Sequence, residues 1–117
     1  MDVEYPGFGS IVIDGTRFDR DMIVERGEPR PRKKGPSKTR RGEYGHTPLT
    51  AAEDLPWSSP KLVIGTGYSG ALPIASDVRE EARARQVELV TLPTSEACEL
   101  LRSLGDGDVA AILHVTC

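Results

Sequence analysis

The sequence predicts an α/β fold: a three-layer domain with a central mixed sheet, helices packed on it and a β-rich N-terminal part. Two observations support this prediction. The second half alternates short apolar strands with amphipathic helical segments in the order β-α-β-α-β, which is typical of a sheet covered by helices. The first quarter contains short β-branched runs separated by turn residues, which is typical of antiparallel hairpins. The length of 117 residues favours a single domain over residues 1–117.

The N-terminal residues predict short antiparallel strands. Residues 1–7 are polar and end in Pro-Gly, so we expect this terminus to be loosely held. The run Gly9–Gly15 places β-branched residues before Asp-Gly, which predicts a hairpin with Thr16–Phe18 as its return strand. Met22–Val24 is expected to add a third short strand to this region. Alternation along these strands predicts one face in contact with solvent.

A basic, proline-rich loop is predicted from about residue 28 to residue 46. Its three prolines argue against a helix, and its charged residues show no apolar periodicity. Two interpretations stay open: a solvated, partly disordered loop, or a basic flap that captures an anionic ligand or partner. Seven of the fifteen basic residues of the chain fall within twelve positions of this loop, namely Arg30, Arg32, Lys33, Lys34, Lys38, Arg40 and Arg41.

A short capped segment follows this loop. Thr50 stands three residues before Glu53, which is the spacing of a capping box, so we expect one or two helical turns that end at Pro56. Trp57 is the only tryptophan, and it is expected to cover the edge of the core.

The second half supplies the predicted central sheet. Ser76 and Thr94 are expected to cap two helices, and Gly105 is the expected stop of the second. The second helix has one clean apolar face, formed by Ala97, Leu100, Leu101 and Leu104. Three strands are predicted over Leu62–Thr66, Val87–Leu92 and Val109–Val115.

The glycine-rich turn after the first of these strands is the principal candidate site. Its spacing Gly65-x-Gly67-x-x-Gly70 is that of a dinucleotide-binding turn, but the helix begins too late and no acidic residue ends the next strand. Two interpretations stay open: an anion site built from backbone N–H groups, or glycines that permit close packing. The candidate ligand-binding residues are Gly65, Thr66, Gly67, Tyr68, Ser69 and Gly70, with Lys33 and Lys34 from the basic loop.

No catalytic residue, metal site or cofactor is predicted. Cys98 and Cys117 lack the paired spacing of zinc ligands and are expected to be free thiols in a reducing compartment. His114 lies in an apolar strand, where a hydrogen-bonded core histidine is the expected role. Ser69 does not match the nucleophile pattern Gly-x-Ser-x-Gly.

Three segments resemble a known family. They are Leu62–Leu72, Leu92–Ala97 and the closing run Ala110–Cys117, whose ending His-x-Thr-Cys is the most specific part. Together they are similar to the Mth-type family of uncharacterised small proteins, whose eukaryotic relatives include the adipogenesis-associated domain protein and mitochondrial complex I assembly factor 3. The resemblance implies a three-layer α/β fold, assembly or interaction roles, and a pocket motif at Gly65, Thr66, Gly67 and Gly70. It implies no reaction, and residues 29–41 depart from the pattern.

The sequence therefore predicts a non-enzymatic interaction, assembly or small-ligand-binding domain. The alternative is an enzyme or cofactor binder that acts on an anionic small molecule at residues 65–70. A protein partner and a small anionic ligand are both compatible with the pattern. The net charge of −3 argues against nucleic acid, and no apolar run is long enough to span a membrane, so a cytoplasmic location is expected.

Overall fold

A computed structural model describes residues 1–105 and 107–117 of the chain. It contains an antiparallel three-stranded sheet and a mixed five-stranded sheet. The small sheet consists of β1 (Val3–Gly7), β2 (Ser10–Ile13) and β3 (Thr16–Phe18). The large sheet consists of β4 (Met22–Glu25), β5 (Glu28–Pro31), β6 (Lys61–Thr66), β7 (Glu88–Leu92) and β8 (Val109–His114). The helices are a 3₁₀ helix (Gly35–Arg40), α1 (Arg41–Tyr44), α2 (Ser76–Ala84) and α3 (Thr94–Leu104).

The large sheet has the strand order β5-β4-β8-β6-β7. The strands β8, β6 and β7 are parallel, whereas β4 runs antiparallel to both β8 and β5. In this register Thr66 lies beside His114, and Gly65 lies between Leu92 and Leu113. The carboxyl ends of the three parallel strands therefore meet at one edge, which is where open α/β sheets bind ligands.

Apolar side chains cover both faces of the large sheet, which confirms the predicted three-layer fold. Along β8, alternate residues point to opposite sides: Val109, Ala111 and Leu113 enter one core, and Ala110 and Ile112 enter the other. The small sheet and α3 cover the first face, and α2 with the chain around Leu49 covers the second. This alternation explains why β6 and β8 read as continuous apolar runs, since neither face of these strands meets water.

The N-terminal expectations need two corrections. Residues 3–7 are not loosely held but form β1, in which Val3 is fully buried and the Tyr5 hydroxyl donates to the carbonyl of Val115 at 2.7 Å. The predicted hairpin of β2 and β3 is confirmed. Met22–Val24 is a strand as predicted, but it joins the large sheet beside β8 rather than the N-terminal sheet.

The basic segment carries more structure than the predicted loop. Its first residues form the edge strand β5, where proline is tolerated because one side of an edge strand lacks hydrogen-bond partners. Pro36 stands at the start of the 3₁₀ helix, where its missing N–H is not needed. Arg32, between these two elements, is only 8% exposed. The expectation of a solvated, partly disordered loop is therefore wrong for this part of the segment.

Three predicted capping roles also change. Helix α2 begins at Ser76 and α3 at Thr94, so Ala75 and Pro93 occupy the cap positions and neither hydroxyl caps its helix. Thr50 begins a turn rather than a helix, and Glu53 pairs with Arg32 instead of completing a capping box.

The remaining expectations for the second half hold. Gly105 ends α3 as predicted. Trp57 is half-buried against the second core, beneath the guanidinium of Arg85 at 5.6 Å. Within the described residues, no helix has the length and apolar character needed to cross a bilayer.

Candidate functional site

The glycine-rich turn lies at the carboxyl edge of the sheet, and its backbone N–H groups are all occupied within the chain. The N–H of Gly67 donates to the Thr94 hydroxyl at 2.8 Å, and the N–H of Tyr68 donates to the Thr116 carbonyl at 2.7 Å. The following N–H groups, through residue 72, donate to backbone oxygens of residues 66, 67 and 117. A ring of free N–H groups that could cradle an anion is therefore not present, which corrects the mechanism expected from the sequence.

Two of the glycines are needed for close packing. A Cβ on Gly67 would lie 2.3 Å from the backbone carbon of Cys117, and the residue has φ +107°. A Cβ on Gly65 would lie 2.9 Å from the Thr94 hydroxyl oxygen. The Thr94 hydroxyl in turn donates to the carbonyl of His114 at 2.6 Å. These contacts join the start of α3 to the ends of β6 and β8, so the glycines fix the geometry of the edge.

A basic cleft of about 330 Å³ opens beside this turn. This volume lies in the range of small-molecule sites. The cleft lies between the basic segment, the end of β8 and residues 71–73, which follow the glycine-rich turn. Its charged or polar side chains are those of Arg32, Lys34, Lys38, Arg41, His46, Thr47, His114 and Thr116. Among the described residues, no aspartate or glutamate side chain lines the cleft, whose wall also includes Cys117. Of the two lysines that the sequence analysis names as candidates, Lys34 lines this cleft and Lys33 does not.

The cations of the basic segment divide into two groups. Arg30, Arg32 and Arg40 form ion pairs that fasten the segment to the rest of the domain. By contrast, Lys34, Lys38 and Arg41 have no ion-pair partner within 4.0 Å among the described residues, and all three line the cleft. Charge that is not neutralised inside the protein thus collects at one concave surface, which attracts anions.

A buried ion network forms the floor behind the cleft. Arg32 donates to Glu53 through Nε at 2.8 Å and through Nη2 at 2.9 Å, and to the carbonyl of Pro48 at 3.0 Å. Its Nη1 donates to Asp21 at 3.0 Å. The Ser37 hydroxyl donates to Glu53 at 2.5 Å. Burial alone would lower the pKa of Arg32, but the hydrogen bonds and charges of Glu53 and Asp21 outweigh burial and raise it.

His114 is hydrogen-bonded through both ring nitrogens, as expected from the sequence, and it also lines the basic cleft. Its Nδ1 lies 2.7 Å from Asp21 Oδ2, and its Nε2 lies 3.3 Å from the Thr116 hydroxyl. The other oxygen of Asp21 accepts the N–H of Val115 at 2.9 Å. Burial alone would raise the pKa of Asp21, but the bonds from His114 and Val115 and the charge of Arg32 lower it instead. The position of His114 at the carboxyl end of β8 was the available signal for a site.

The remaining predicted residues lie apart from the basic cleft. Thr66, Ser69 and Gly70 line a more open hollow of about 400 Å³ between the ends of β6 and β7, where Arg79 is the one lining cation among the described residues. Tyr68 is 65% exposed and packs edge-on against the exposed ring of Phe8.

The largest of these surface hollows, about 510 Å³, lies at the opposite end of the sheet. Its charged lining residues include Asp2, Asp14 and Asp108, with Arg26 as the side-chain cation. Because three carboxylates repel an anion, this hollow is a poorer candidate than the basic cleft despite its size.

Both cysteines are free thiols. Cys98 is buried in α3, and burial raises the pKa of its thiol to about 11. Cys117 is exposed. Among the described residues, no group of three histidine, cysteine, aspartate or glutamate side chains is placed to hold a metal ion.

Comparisons with known proteins identify the relatives of this architecture. No protein-family model and no curated protein matches the chain. Among solved structures, a protein named MT938 is 25% identical over 99% of this chain and 100% of its own, with a TM-score of 0.70. An outer membrane protein from Bartonella henselae is 16% identical over 97% of this chain and 100% of its own, with a TM-score of 0.65, and shows a shared fold alone.

The conserved hypothetical protein PH1505 from Pyrococcus horikoshii OT3 is 31% identical over the full length of both chains, with a TM-score of 0.83. Because the alignment covers both chains completely at this level of identity, the chain belongs to the family of the Pyrococcus horikoshii conserved hypothetical protein.

Proposed function

We propose that this protein is a ligand-binding domain that takes a small phosphate-bearing anion in the basic cleft. The observation that carries the proposal is the charge of the cleft: Lys34, Lys38 and Arg41 line it without ion-pair partners among the described residues. A phosphate group carries more negative charge than a single carboxylate and offers more acceptor oxygens, so it matches several cations at once.

The support of the cleft favours a rigid site rather than a mobile flap. Arg32, whose side chain is 1% exposed, anchors the basic segment to Glu53 and Asp21. Arg40 adds a second anchor on Asp77 at 3.2 Å. A surface whose cations are held before the ligand arrives loses less conformational entropy on binding. This form of the site replaces the backbone anion site at residues 65–70, while the Mth-type relationship and the cytoplasmic location stay predictions.

The test is a titration with inorganic phosphate, followed by backbone amide NMR and calorimetry. We expect chemical-shift changes around residues 34–47 and 114–116, and an affinity that falls as salt rises. If each exposed cation contributes about 0.7 kcal/mol, the double variant Lys34→Gln/Arg41→Gln lowers affinity about tenfold.

Lys33 provides a matched control because it adjoins Lys34 in the sequence but does not line the cleft. Lys33→Gln makes the same charge change and is expected to leave phosphate affinity within about twofold of the wild-type value. Equal losses from Lys33→Gln and Lys34→Gln would show that only the overall charge of the segment matters, and the proposed site would be wrong.

A further inference from the structure

The two histidines of the chain, far apart in sequence, line the same basic cleft. His114 comes from the end of β8 and is held inside, with 13% of its side chain exposed. His46 follows α1 and is exposed at the cleft surface. Two imidazoles at one basic cavity supply one group that accepts a proton in its neutral form and one that donates a proton in its protonated form.

The contacts of His114 fix which of its nitrogens can act as a base. An ionised carboxylate only accepts hydrogen bonds, so Asp21 requires a proton on Nδ1 of His114. In the neutral ring this leaves a lone pair on Nε2, which faces the Thr116 hydroxyl at 3.3 Å. Thr116 also lines the cleft, so its hydroxyl holds the position at Nε2 that a water molecule must take over for reaction. A base oriented by a second residue in this way is the arrangement found in acid–base catalysis.

Asp21 is itself held in place from two directions. Its Oδ1 accepts the backbone N–H of Val115, and its Oδ2 accepts Nη1 of the buried Arg32. The ring of His114 is therefore positioned by a carboxylate that has little freedom to move.

We propose that the cleft hydrolyses phosphodiesters, with His114 as general base and His46 as general acid. This inference rests on the proposed binding of a phosphate group. Nε2 of His114 takes a proton from water as the water oxygen forms a bond to phosphorus. The bond from phosphorus to the leaving oxygen breaks, and protonated His46 gives its proton to that oxygen. The products are a phosphomonoester and an alcohol, and the two histidines then exchange protons with solvent.

The cations of the cleft have a defined part in this reaction. Lys34, Lys38 and Arg41 balance the negative charge that the phosphoryl oxygens carry in the transition state. Asp21 is a positioning residue, because it touches His114 and not the substrate. The nucleophile is water, so no further reactant is needed.

Two probe substrates separate the roles of the histidines. Bis(4-nitrophenyl) phosphate releases 4-nitrophenolate, a stable anion that needs no proton. Cytidine 2′,3′-cyclic phosphate releases an alkoxide, which needs one. We expect His114→Gln to lower kcat at least about 100-fold on both probes, and His46→Gln to do so on the cyclic phosphate only. His46→Gln should stay within about threefold of wild type on the nitrophenyl probe.

The positioning role of Asp21 has a readout beyond rate. Asp21→Asn is expected to lower kcat at least about tenfold on both probes and to move the His114 ring proton from Nδ1 to Nε2, which ¹⁵N NMR of the imidazole detects directly. Lys33→Gln serves as the control for handling and charge, with unchanged rates expected.

The outcomes distinguish this inference from the proposed function. Wild-type protein that binds inorganic phosphate but hydrolyses neither probe would overturn the hydrolase assignment and leave the binding site intact. Absence of phosphate binding would overturn both. Wild-type rates in His114→Gln would overturn the role of the base, and equal losses on the two probes in His46→Gln would overturn the role of the acid.

Discussion

Removal of Glu53 tests whether the buried ion network holds the basic segment on the domain. The side chains of Arg32 and Glu53 are each 1% exposed, and two charge-assisted hydrogen bonds join them. In Glu53→Ala, Arg32 keeps Asp21 at 3.0 Å as its single carboxylate partner, and the Ser37 hydroxyl loses an acceptor. Breaking a buried pair from one side costs about 3–5 kcal/mol when the remaining charge loses all compensation, and because Arg32 keeps Asp21 we expect a loss near the lower end of this range.

Asp54 provides the control for the loss of stability expected in Glu53→Ala. It is the adjacent carboxylate, its side chain is 89% exposed, and it approaches Arg30 only to 4.0 Å. Asp54→Ala should therefore change the free energy of unfolding by less than about 1 kcal/mol. Urea denaturation followed by tryptophan fluorescence measures both variants, with Trp57 as the probe.

Two further results decide whether charge is the cause. The double variant Arg32→Met/Glu53→Leu removes both charges and should be more stable than Glu53→Ala alone, because no buried Arg32 charge remains and Asp21 keeps its bonds to His114 and Val115. Glu53→Gln keeps the shape and should lie between Glu53→Ala and the wild type. If Glu53→Ala is no more destabilising than Asp54→Ala, the network contributes little, and the account of a rigid basic segment is wrong.

Three further predictions follow from single residues. Gly67→Ala should destabilise the fold by at least about 2 kcal/mol, whereas Gly35→Ala, where a Cβ meets open space, should change little; equal urea midpoints would refute the packing role. The pKa of Asp21 is lower in the folded protein than in the unfolded chain. Ionised Asp21 therefore contributes its full stabilisation of the fold above the unfolded pKa of about 4, and this contribution is lost as pH falls through the lower folded pKa. In Asp21→Asn the free energy of unfolding should fall less steeply with decreasing pH in this acidic range. In native protein at pH 8 a thiol reagent should modify Cys117 only, since Cys98 is buried with a pKa of about 11; two rapid equivalents would contradict this burial.

The elements that the sequence predicts best are those that a local apolar pattern marks. The strands β6, β7 and β8 and the helix α3 follow from local apolar periodicity, and each is observed within about one or two residues. Pairing between β4 and β8 joins Met22 to Leu113, and no local pattern encodes such a distant contact. Strand β5 was not predicted because it contains two prolines, which are excluded from central strands. Proline is tolerated in an edge strand, and β5 lies at the edge of the sheet.

The sequence analysis places a candidate site at residues 65–70 with Lys33 and Lys34, and the cleft proposed from the structure shares only Lys34 with that set. The carboxyl edge of the sheet and Lys34 are part of the observed cleft. The glycine spacing suggested free backbone N–H groups, but Thr116 and Cys117 fold back and accept hydrogen bonds from them. The pairing of His114 with Asp21 could not be read from the sequence, because it depends on the register of β4 against β8 and on where the chain enters β4.

The strand order has a consequence for synthesis on the ribosome. The middle strand of the large sheet, β8, is the last of its strands to be made, and both of its neighbours precede it. Until β8 emerges, β4 and β6 each present an unsatisfied edge, and β6 is almost wholly apolar. Such edges invite pairing with another chain. We therefore expect a nascent chain stalled before Val109 to fold poorly and to bind a chaperone that shields exposed strands. The large sheet can close only after residues 109–114 are complete.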